Sequence, residues 1–229
     1  MAEVEKVDVL IIGSGPAGTS TALHLIKSNP NWAKRIVIVD KAVHPREKLC
    51  GGGITHLGQN ILADLGLPFE PASFEVKEVK LVYQDKSYSF LGDPVFRIIR
   101  RDEFDHWLVQ QCESFDIPVR QGEGVKKIIR HDDYMEVVTE KATFHAKAVV
   151  GADGSRSFVR HHLKWEDEAR VARLIEVLTP EDEQIQPVFQ SQTAVFDFTH
   201  MTDGLQGYYW DFPSYVNKKA FMNRGLFDS

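Results

Sequence analysis

The sequence has few cysteines, no long apolar run and no excess of basic residues. Its two cysteines, Cys50 and Cys112, are too few for a disulfide framework and are typical of a reducing compartment. No apolar run approaches the roughly 20 residues that span a bilayer, and the N-terminus lacks the basic and apolar regions of a signal peptide. A net charge of −6 argues against a nucleic-acid partner. We therefore expect a cytoplasmic protein with at most a peripheral membrane contact.

Metal-ligand spacing is also missing. His24, His44, His56, His106 and the pair His161-His162 do not recur with cysteines or acids at the intervals of a zinc site, so we expect no metal. The chain has 229 residues, 43% of them hydrophobic and 26% charged, which allows a well-packed core in one large domain or two interleaved ones. Composition leaves the oligomeric state open.

The first 40 residues have the pattern of a strand, a helix and a second strand. Val7 to Ile12 is apolar and β-branched apart from Asp8, which predicts a buried parallel strand. A glycine-rich turn follows, then a helix that ends before Pro30, and a second buried strand over Ile36 to Val39. These three elements form one βαβ unit.

Later segments alternate between helical and strand-like patterns. We predict helices over Leu57 to Leu65, from near Asp102 to Cys112, and over Phe158 to Leu163. We predict strands over residues 79–83, 87–91, 96–99, 148–150, 171–177, 194–198, 208–212 and 220–227. The fold class is α/β: a Rossmann-like domain with an interleaved β-rich domain. The predicted boundaries are 1–70 and 97–165 for the first domain, and 71–96 and 166–229 for the second.

The turn Gly13-Ser14-Gly15-Pro16-Ala17-Gly18 matches G-x-G-x-x-G. Gly13 permits a tight turn, Gly15 admits a pyrophosphate to the backbone, and Gly18 lets the helix pack on the strand. Asp40 follows Gly18 by 22 residues, close to the spacing of about 20 for an acid that binds a ribose. A merely structural glycine turn is the alternative. The motif does not distinguish NAD from FAD.

Two further segments permit both a structural and a functional interpretation. Gly151-Ala152-Asp153-Gly154 ends a strand and forms either a β-turn or a second approach to the cofactor. Tyr208, Trp210 and Phe212 alternate, so they share one face of a strand and form either sheet core or an apolar slot.

Four motifs together resemble the geranylgeranyl reductase family, within the flavoproteins that resemble para-hydroxybenzoate hydroxylase. They are Gly13 to Gly18, the segment Pro45-Arg46-Glu47-Lys48-Leu49-Cys50-Gly51-Gly52, Gly151 to Arg160, and Tyr208 to Pro213, which reads Y-x-W-x-F-P. The resemblance extends over essentially the whole chain. It implies that the Rossmann-like domain is an FAD/NAD(P)-binding domain with FAD as the cofactor, and that NAD(P)H or another external donor supplies electrons. It also implies that the β-rich part is a substrate domain, with a prenyl-type lipid as an apolar small-molecule substrate.

The resemblance also implies roles for single residues. The cofactor would be bound by Gly13, Gly15, Ala17, Gly18, Asp40, Lys41, Lys48, Gly51, Gly52, Arg101, Val125, Asp153 and Gly154. Cys50 would lie beside the flavin ring as a catalytic residue, and cationic neighbours favour the thiolate form of a cysteine. Tyr208, Trp210 and Phe212 would contact the substrate. A buried structural thiol is the alternative for Cys50, and we expect Cys112 to lie in the core.

The family carries a Gly-Asp motif later in its sequence. The late glycines of this chain, Gly204, Gly207 and Gly225, are each followed by a residue other than Asp. We therefore expect an N-terminal portion of a longer flavoprotein. Three hypotheses follow: reduction of C=C bonds in an isoprenoid or related lipid, hydroxylation of an aromatic substrate, or FAD binding by a truncated module without catalysis.

Overall fold

A computed structural model describes residues 4–165 and 172–229. The chain forms two compact units, one from residues 4–46 and 105–165 and the other from residues 47–104 and 172–229. In chain order the strands are β1 (Val4–Ile12), β2 (Ile36–Asp40), β3 (Gly53–Thr55), β4 (Ser73–Tyr83), β5 (Lys86–Ile99), β6 (Val119–Gln121), β7 (Val125–Arg130), β8 (Met135–Thr139), β9 (Thr143–Gly151), β10 (Arg173–Pro180), β11 (Thr193–Asp197), β12 (Gly207–Val216) and β13 (Lys219–Asp228). The helices are α1 (Pro16–Ser28), α2 (His56–Asp64), α3 (Arg101–Ser114), α4 (Phe158–His162) and α5 (Pro187–Gln190), with 3₁₀ turns at Pro30–Arg35 and Thr199–Asp203.

The first unit contains a six-stranded sheet in the order β6-β2-β1-β9-β8-β7. β6, β2, β1 and β9 run parallel, while β8 pairs antiparallel with both of its neighbours. Leu10 and Ile11 in β1 are fully buried on opposite faces, which explains the continuous apolar run in the sequence. The predicted βαβ unit is thereby confirmed, and it brings Gly13 and Asp40 to the carboxyl ends of adjacent strands.

The second unit contains a seven-stranded sheet in the order β10-β13-β12-β11-β4-β5-β3. Its pairs are antiparallel except β11 with β4, which run parallel. Its core is aromatic, with Phe74, Phe96, Trp210 and Phe212 among the buried members. The predicted α/β architecture with a β-rich part is confirmed.

Two details of the predicted strands are wrong. Residues 96–99 are the end of the 14-residue strand β5, because Phe96 and Ile98 continue to pair with Val76 and Phe74 of β4. The apolar run at residues 148–150 predicts a buried strand, and these residues do form the end of β9, but Ala148 is exposed there because the core of this sheet packs nearer the start of the strand. The predicted strand position at residue 171 lies outside the described residues.

The compact units divide the chain at other points than the predicted domains. Residues 47–70 and 97–104 belong to the second unit, because β3 pairs with β5 and α2 packs against β3. The sequence predicts residues 47–70 and 97–104 in the first domain, over 1–70 and 97–165. The assignment of cofactor and substrate roles to the two units remains a prediction.

Candidate functional site

The turn between β1 and α1 is so tightly packed that two of its glycines have no room for a side chain. Gly13 has φ +108°, and a Cβ there would lie 2.3 Å from the carbonyl oxygen of Ala152. A Cβ on Gly18 would lie 1.9 Å from the carbonyl oxygen of Gly13. The turn and the first turn of α1 therefore pack against backbone on both sides, as a G-x-G-x-x-G turn requires.

Gly15 differs from these two because it faces open space. A Cβ there would meet only Arg46, with Nη2 at 3.4 Å, and the backbone (φ −72°, ψ −179°) is extended. Gly15 is the N-cap of α1 and has no side chain to bond the first N–H groups, while Pro16 occupies the first helical turn and Ala17 is exposed. The start of α1 thus presents unpaired N–H groups, the positive end of the helix dipole and a guanidinium to one space, which suits an anion.

Asp40, at the end of β2, is fixed against this turn by three hydrogen bonds. Its Oδ2 accepts from the backbone N–H and from the hydroxyl of Ser14, both at 2.7 Å, and its Oδ1 accepts from the Ala42 N–H at 2.8 Å. Burial raises the pKa of the Asp40 carboxyl, but the hydrogen bonds from Ala42 and Ser14 outweigh burial and hold the pKa below its ordinary value. Asp40 is therefore a carboxylate at neutral pH, with lone pairs left for a hydroxyl ligand.

His44 extends this network. Its Nε2 lies 2.8 Å from the Ser14 hydroxyl oxygen, and both residues are buried. Because Ser14 uses its one hydroxyl proton toward Asp40, the network assigns the proton of the neutral imidazole to Nε2. Burial, followed by the charge of Arg46, lowers the pKa of His44. His44 is thus neutral and orients the Ser14 hydroxyl toward Asp40.

Arg46 is oriented by a buried carboxylate. Its Nη2 donates to Asp105 Oδ2 at 3.0 Å, and the Asp105 side chain is fully buried in α3. The sequence indicated Arg46 only as a cationic neighbour of Cys50. It did not reveal that Ser14, His44, Arg46 and Asp105 belong to the site at the glycine turn. Ser14 occupies a variable position of the motif, and Asp105 is 59 residues from Arg46, so only the fold brings them together.

In the second unit, the loop that carries Cys50 lies against the aromatic strand β12. A Cβ on Gly51 would be 3.1 Å from Phe212 Cε2, and Gly52, at φ +77°, packs against the backbone of Ile99. The Gly52 N–H points to Cys50 Sγ at 3.4 Å, and the cysteine is partly exposed. An N–H donor at the sulfur stabilises negative charge there.

The structure places the aromatic row of β12 in the core of the second sheet. Trp210 and Phe212 are each 4% exposed, and Tyr208 packs against the same cluster. Burial, followed by negative charge at Cys50, raises the pKa of the Tyr208 hydroxyl. This placement agrees with the structural interpretation of the row, and substrate contact remains a prediction.

Asp153 already has a structural role in the first unit. Its carboxylate accepts hydrogen bonds from the Ser157 hydroxyl and from the N–H groups of Phe158 and Val159, which caps α4. Gly154, next to it, has φ +81° and open space around it. Contact of these two residues with the cofactor stays a prediction.

The remaining predicted residues are widely spread along the chain. Lys41 and Lys48 are exposed, Arg101 begins α3, and Val125 begins β7. Cys112 is fully buried in α3, and burial raises the pKa of its thiol to about 12, as expected for a core cysteine.

Within residues 4–165 and 172–229, no three His, Cys, Asp or Glu side chains are grouped to hold a metal ion. Over the same ranges, no helix has both the length and the apolarity to cross a bilayer.

The sheet order and the glycine turn define a dinucleotide-binding fold of the flavoprotein type. Residues 6–199 match the FAD binding domain family. The chain therefore belongs to the FAD binding domain family, and its cofactor is FAD.

Curated relatives match along much of the chain. An uncharacterized protein of Methanosarcina barkeri is 26% identical over 215 residues, which are 93% of this chain and 52% of the relative. Protein CbrA of Escherichia coli (strain UTI89) is 30% identical over 177 residues, 70% of this chain and 45% of that protein. The chain thus spans about half the length of the curated relatives it matches.

Solved structures share the fold. A geranylgeranyl bacteriochlorophyll reductase-like protein of Thermoplasma acidophilum has a TM-score of 0.74 at 18% identity, over 99% of this chain and 57% of that one. PqsL of Pseudomonas aeruginosa, in complex with 2-aminobenzoylacetate, has a TM-score of 0.76 at 16% identity, over 98% and 61%. At these identities the likeness shows the fold alone.

Proposed function

We propose that this chain is the FAD-binding part of an oxidoreductase that reduces C=C bonds of an isoprenoid or related lipid. The observation that carries the cofactor assignment is the open space at Gly15, which combines the uncapped start of α1 with the guanidinium of Arg46. A pyrophosphate meets its charge and hydrogen-bonding requirements there.

In this proposal, the backbone of Gly13 to Gly18, including Ala17, and the Arg46 guanidinium bind the pyrophosphate. Asp40 accepts from the adenosine ribose, while Ser14 and His44 fix its carboxylate and Asp105 fixes Arg46. The other cofactor contacts we propose, by resemblance, are Lys41, Lys48, Gly51, Gly52, Arg101, Val125, Asp153 and Gly154.

Bound FAD would supply two-electron redox chemistry, with NAD(P)H or another external donor as the source of electrons. Cys50 would hold a proton at Sγ and deliver it to the substrate carbon that does not receive the hydride, with water as the alternative donor. The Gly52 N–H at 3.4 Å would stabilise the sulfur once it has lost the proton. Contact of an apolar substrate with Tyr208, Trp210 and Phe212 is proposed from the family resemblance, since the row itself lies in the core of the second sheet.

An aromatic hydroxylase is the second candidate. The fold is shared with a p-nitrophenol 4-monooxygenase of Pseudomonas putida, with a TM-score of 0.76 at 16% identity. A flat aromatic ring would also suit the aromatic face of β12. The two candidates differ in their need for oxygen, which only the hydroxylase consumes.

The test is turnover by the purified protein with a flavin absorbance band. The protein would be reduced with NAD(P)H or dithionite and offered a prenyl substrate without oxygen. We expect a saturated product from the native chain and from Cys112→Ser, and a loss of at least about tenfold in Cys50→Ser. Product that forms only with oxygen would favour the hydroxylase. Bound flavin without product under either condition would favour a non-catalytic FAD-binding module.

A further inference from the structure

We infer that Glu176 is a positioning residue for the Cys50 loop, and that Asn223 and Trp210 connect it to the Y-x-W-x-F-P strand. The inference rests on the proposed role of Cys50. Glu176 lies in β10, 126 residues from Cys50 along the sequence, and all four residues belong to the second unit.

Both backbone groups of Cys50 are held by side chains. The Cys50 N–H donates to Glu176 Oε2 at 3.2 Å, and the Cys50 carbonyl oxygen accepts from Asn223 Nδ2 at 3.3 Å. Asn223 Nδ2 also donates to Glu176 Oε1 at 2.8 Å. The peptide groups on either side of the Cys50 Cα are therefore fixed by one connected pair of side chains, Glu176 and Asn223.

This pair is buried and balanced in charge. The Glu176 side chain is 4% exposed, and Arg100, 14% exposed, donates to its Oε1 at 3.2 Å. A buried carboxylate is costly unless it is paired and hydrogen-bonded, and Glu176 meets this condition with three different donors. Such a buried and connected network holds the Glu176 carboxylate in one arrangement.

The same network reaches the aromatic strand. Trp210 Nε1 donates to Asn223 Oδ1 at 2.8 Å, so the Asn223 amide uses its oxygen toward β12 and its nitrogen toward the Cys50 loop. Trp210 can take this place because its partner across the sheet is Gly225, where a Cβ would lie 2.0 Å from the indole ring. The loop and the strand are thus coupled through side chains that the sequence motifs alone do not include.

The test measures the rate of Cys50 alkylation by iodoacetamide against pH in the whole chain, with thermal unfolding as a check on folding. Glu176→Gln keeps the shape of the side chain and removes its charge, while Arg100 keeps its ion pair with Asp102 at 3.3 Å. Because loss of a nearby negative charge favours a thiolate, we expect the midpoint of the rate profile to move about one pH unit lower. Glu181→Gln is the matched control, since it breaks a 2.9 Å ion pair with Arg224 in the same unit. Its profile should match that of the native chain.

Trp210→Phe provides a second variant that leaves all charges in place. Loss of the indole N–H should loosen the loop and raise the alkylation rate about two- to tenfold at every pH, the range expected for one hydrogen bond, without moving the midpoint. A Glu176→Gln profile that coincides with the native one would overturn the inference. An unchanged rate in Trp210→Phe would overturn the link to β12. Alkylation needs neither flavin nor substrate, so these results are independent of the turnover test with Cys50→Ser.

Discussion

At the scale of single residues, the two cysteines differ sharply in their surroundings. Cys50 is partly exposed in a glycine loop, whereas Cys112 is fully buried and has a thiol pKa of about 12. We expect a thiol reagent such as DTNB to titrate one cysteine in the native chain and two after denaturation. In the folded Cys50→Ser variant the reagent should titrate no cysteine, and in the folded Cys112→Ser variant it should titrate one. Equal reaction of both cysteines in the native chain would contradict this description.

His44 makes a pH-dependent contribution to stability. Its pKa in the folded chain lies below the ordinary value of 6.5, so the unfolded chain binds the proton first as the pH falls. The stability that neutral His44 provides is therefore complete above pH 6.5 and decreases as the pH falls below it. Glutamine can donate from its Nε2 to Ser14 without titrating.

The free energy of unfolding, measured by urea denaturation at each pH, should fall between pH 7.5 and pH 5. We expect this fall to be smaller in His44→Gln than in the native chain. His24→Gln is the control, because His24 is exposed on α1. That control should follow the native curve. If His44→Gln also follows it, burial of the neutral imidazole does not contribute to stability.

At the scale of elements, the pairing of β12 with β13 depends on a glycine. A Cβ on Gly225 would lie 2.0 Å from the Trp210 ring and 2.4 Å from the Ile175 carbonyl oxygen. We expect Gly225→Ala to lower the free energy of unfolding by about 1–3 kcal/mol, because overpacking a core moves side chains and backbone.

Gly53→Ala is the control for this substitution. Gly53 is exposed in β3, and a Cβ there makes ordinary contacts of 3.4 Å with the Phe96 ring. Its effect should stay within about 0.5 kcal/mol, the range of surface substitutions. Denaturation curves of both variants, followed by tryptophan fluorescence, decide the comparison. Equal stability of Gly225→Ala and the native chain would show that the indole ring is free to move.

Elements that depend on local pattern could be predicted from the sequence. β1, α1 and β2 follow from apolar runs bounded by Gly13 and Pro30. The spacing of Leu57, Ile61 and Leu65 also predicts the helix α2, but Leu57 and Ile61 are exposed and Leu62 is its buried residue. The end of β5 could not be recognised as part of one strand, because Pro94 interrupts the sequence pattern and the pairing with β4 resumes only beyond a register shift, at Phe96. Here the partner strand decides the outcome, and the local sequence does not.

The candidate site divides in the same way, into parts that belong to a local motif and parts that only the fold brings together. The glycine turn and Asp40 belong to one motif with fixed spacing, so the sequence alone indicates them. The contacts of Asp105 with Arg46 and of Glu176 with Cys50 join residues 59 and 126 positions apart. Such contacts arise from the fold, and an isolated acid in a sequence carries no sign of its partner.

At the scale of the whole molecule, the chain places its glycine turn and its Cys50 loop in two separately packed units. The first unit carries the glycine turn, Asp40 and Arg46, while the second carries Cys50, Glu176 and the aromatic strand. The proposed pyrophosphate contact at the glycine turn and the reactivity of the Cys50 thiol can therefore be tested separately, by substitutions in one unit or the other. This separation is what makes the alkylation and flavin-binding experiments informative on their own.

The central claim is that the turn at Gly15 receives the pyrophosphate of FAD. The most direct measurement is the dissociation constant of FAD for the native chain and for Gly15→Val, determined by quenching of flavin fluorescence. The extended backbone at Gly15 accepts any residue, so valine should fold normally while its methyl groups occupy the anion's place and displace Arg46. We predict binding at least about tenfold weaker in Gly15→Val, equivalent to about 1.4 kcal/mol, and unchanged binding in Gly53→Ala. Equal affinity of Gly15→Val and the native chain for FAD would contradict the claim.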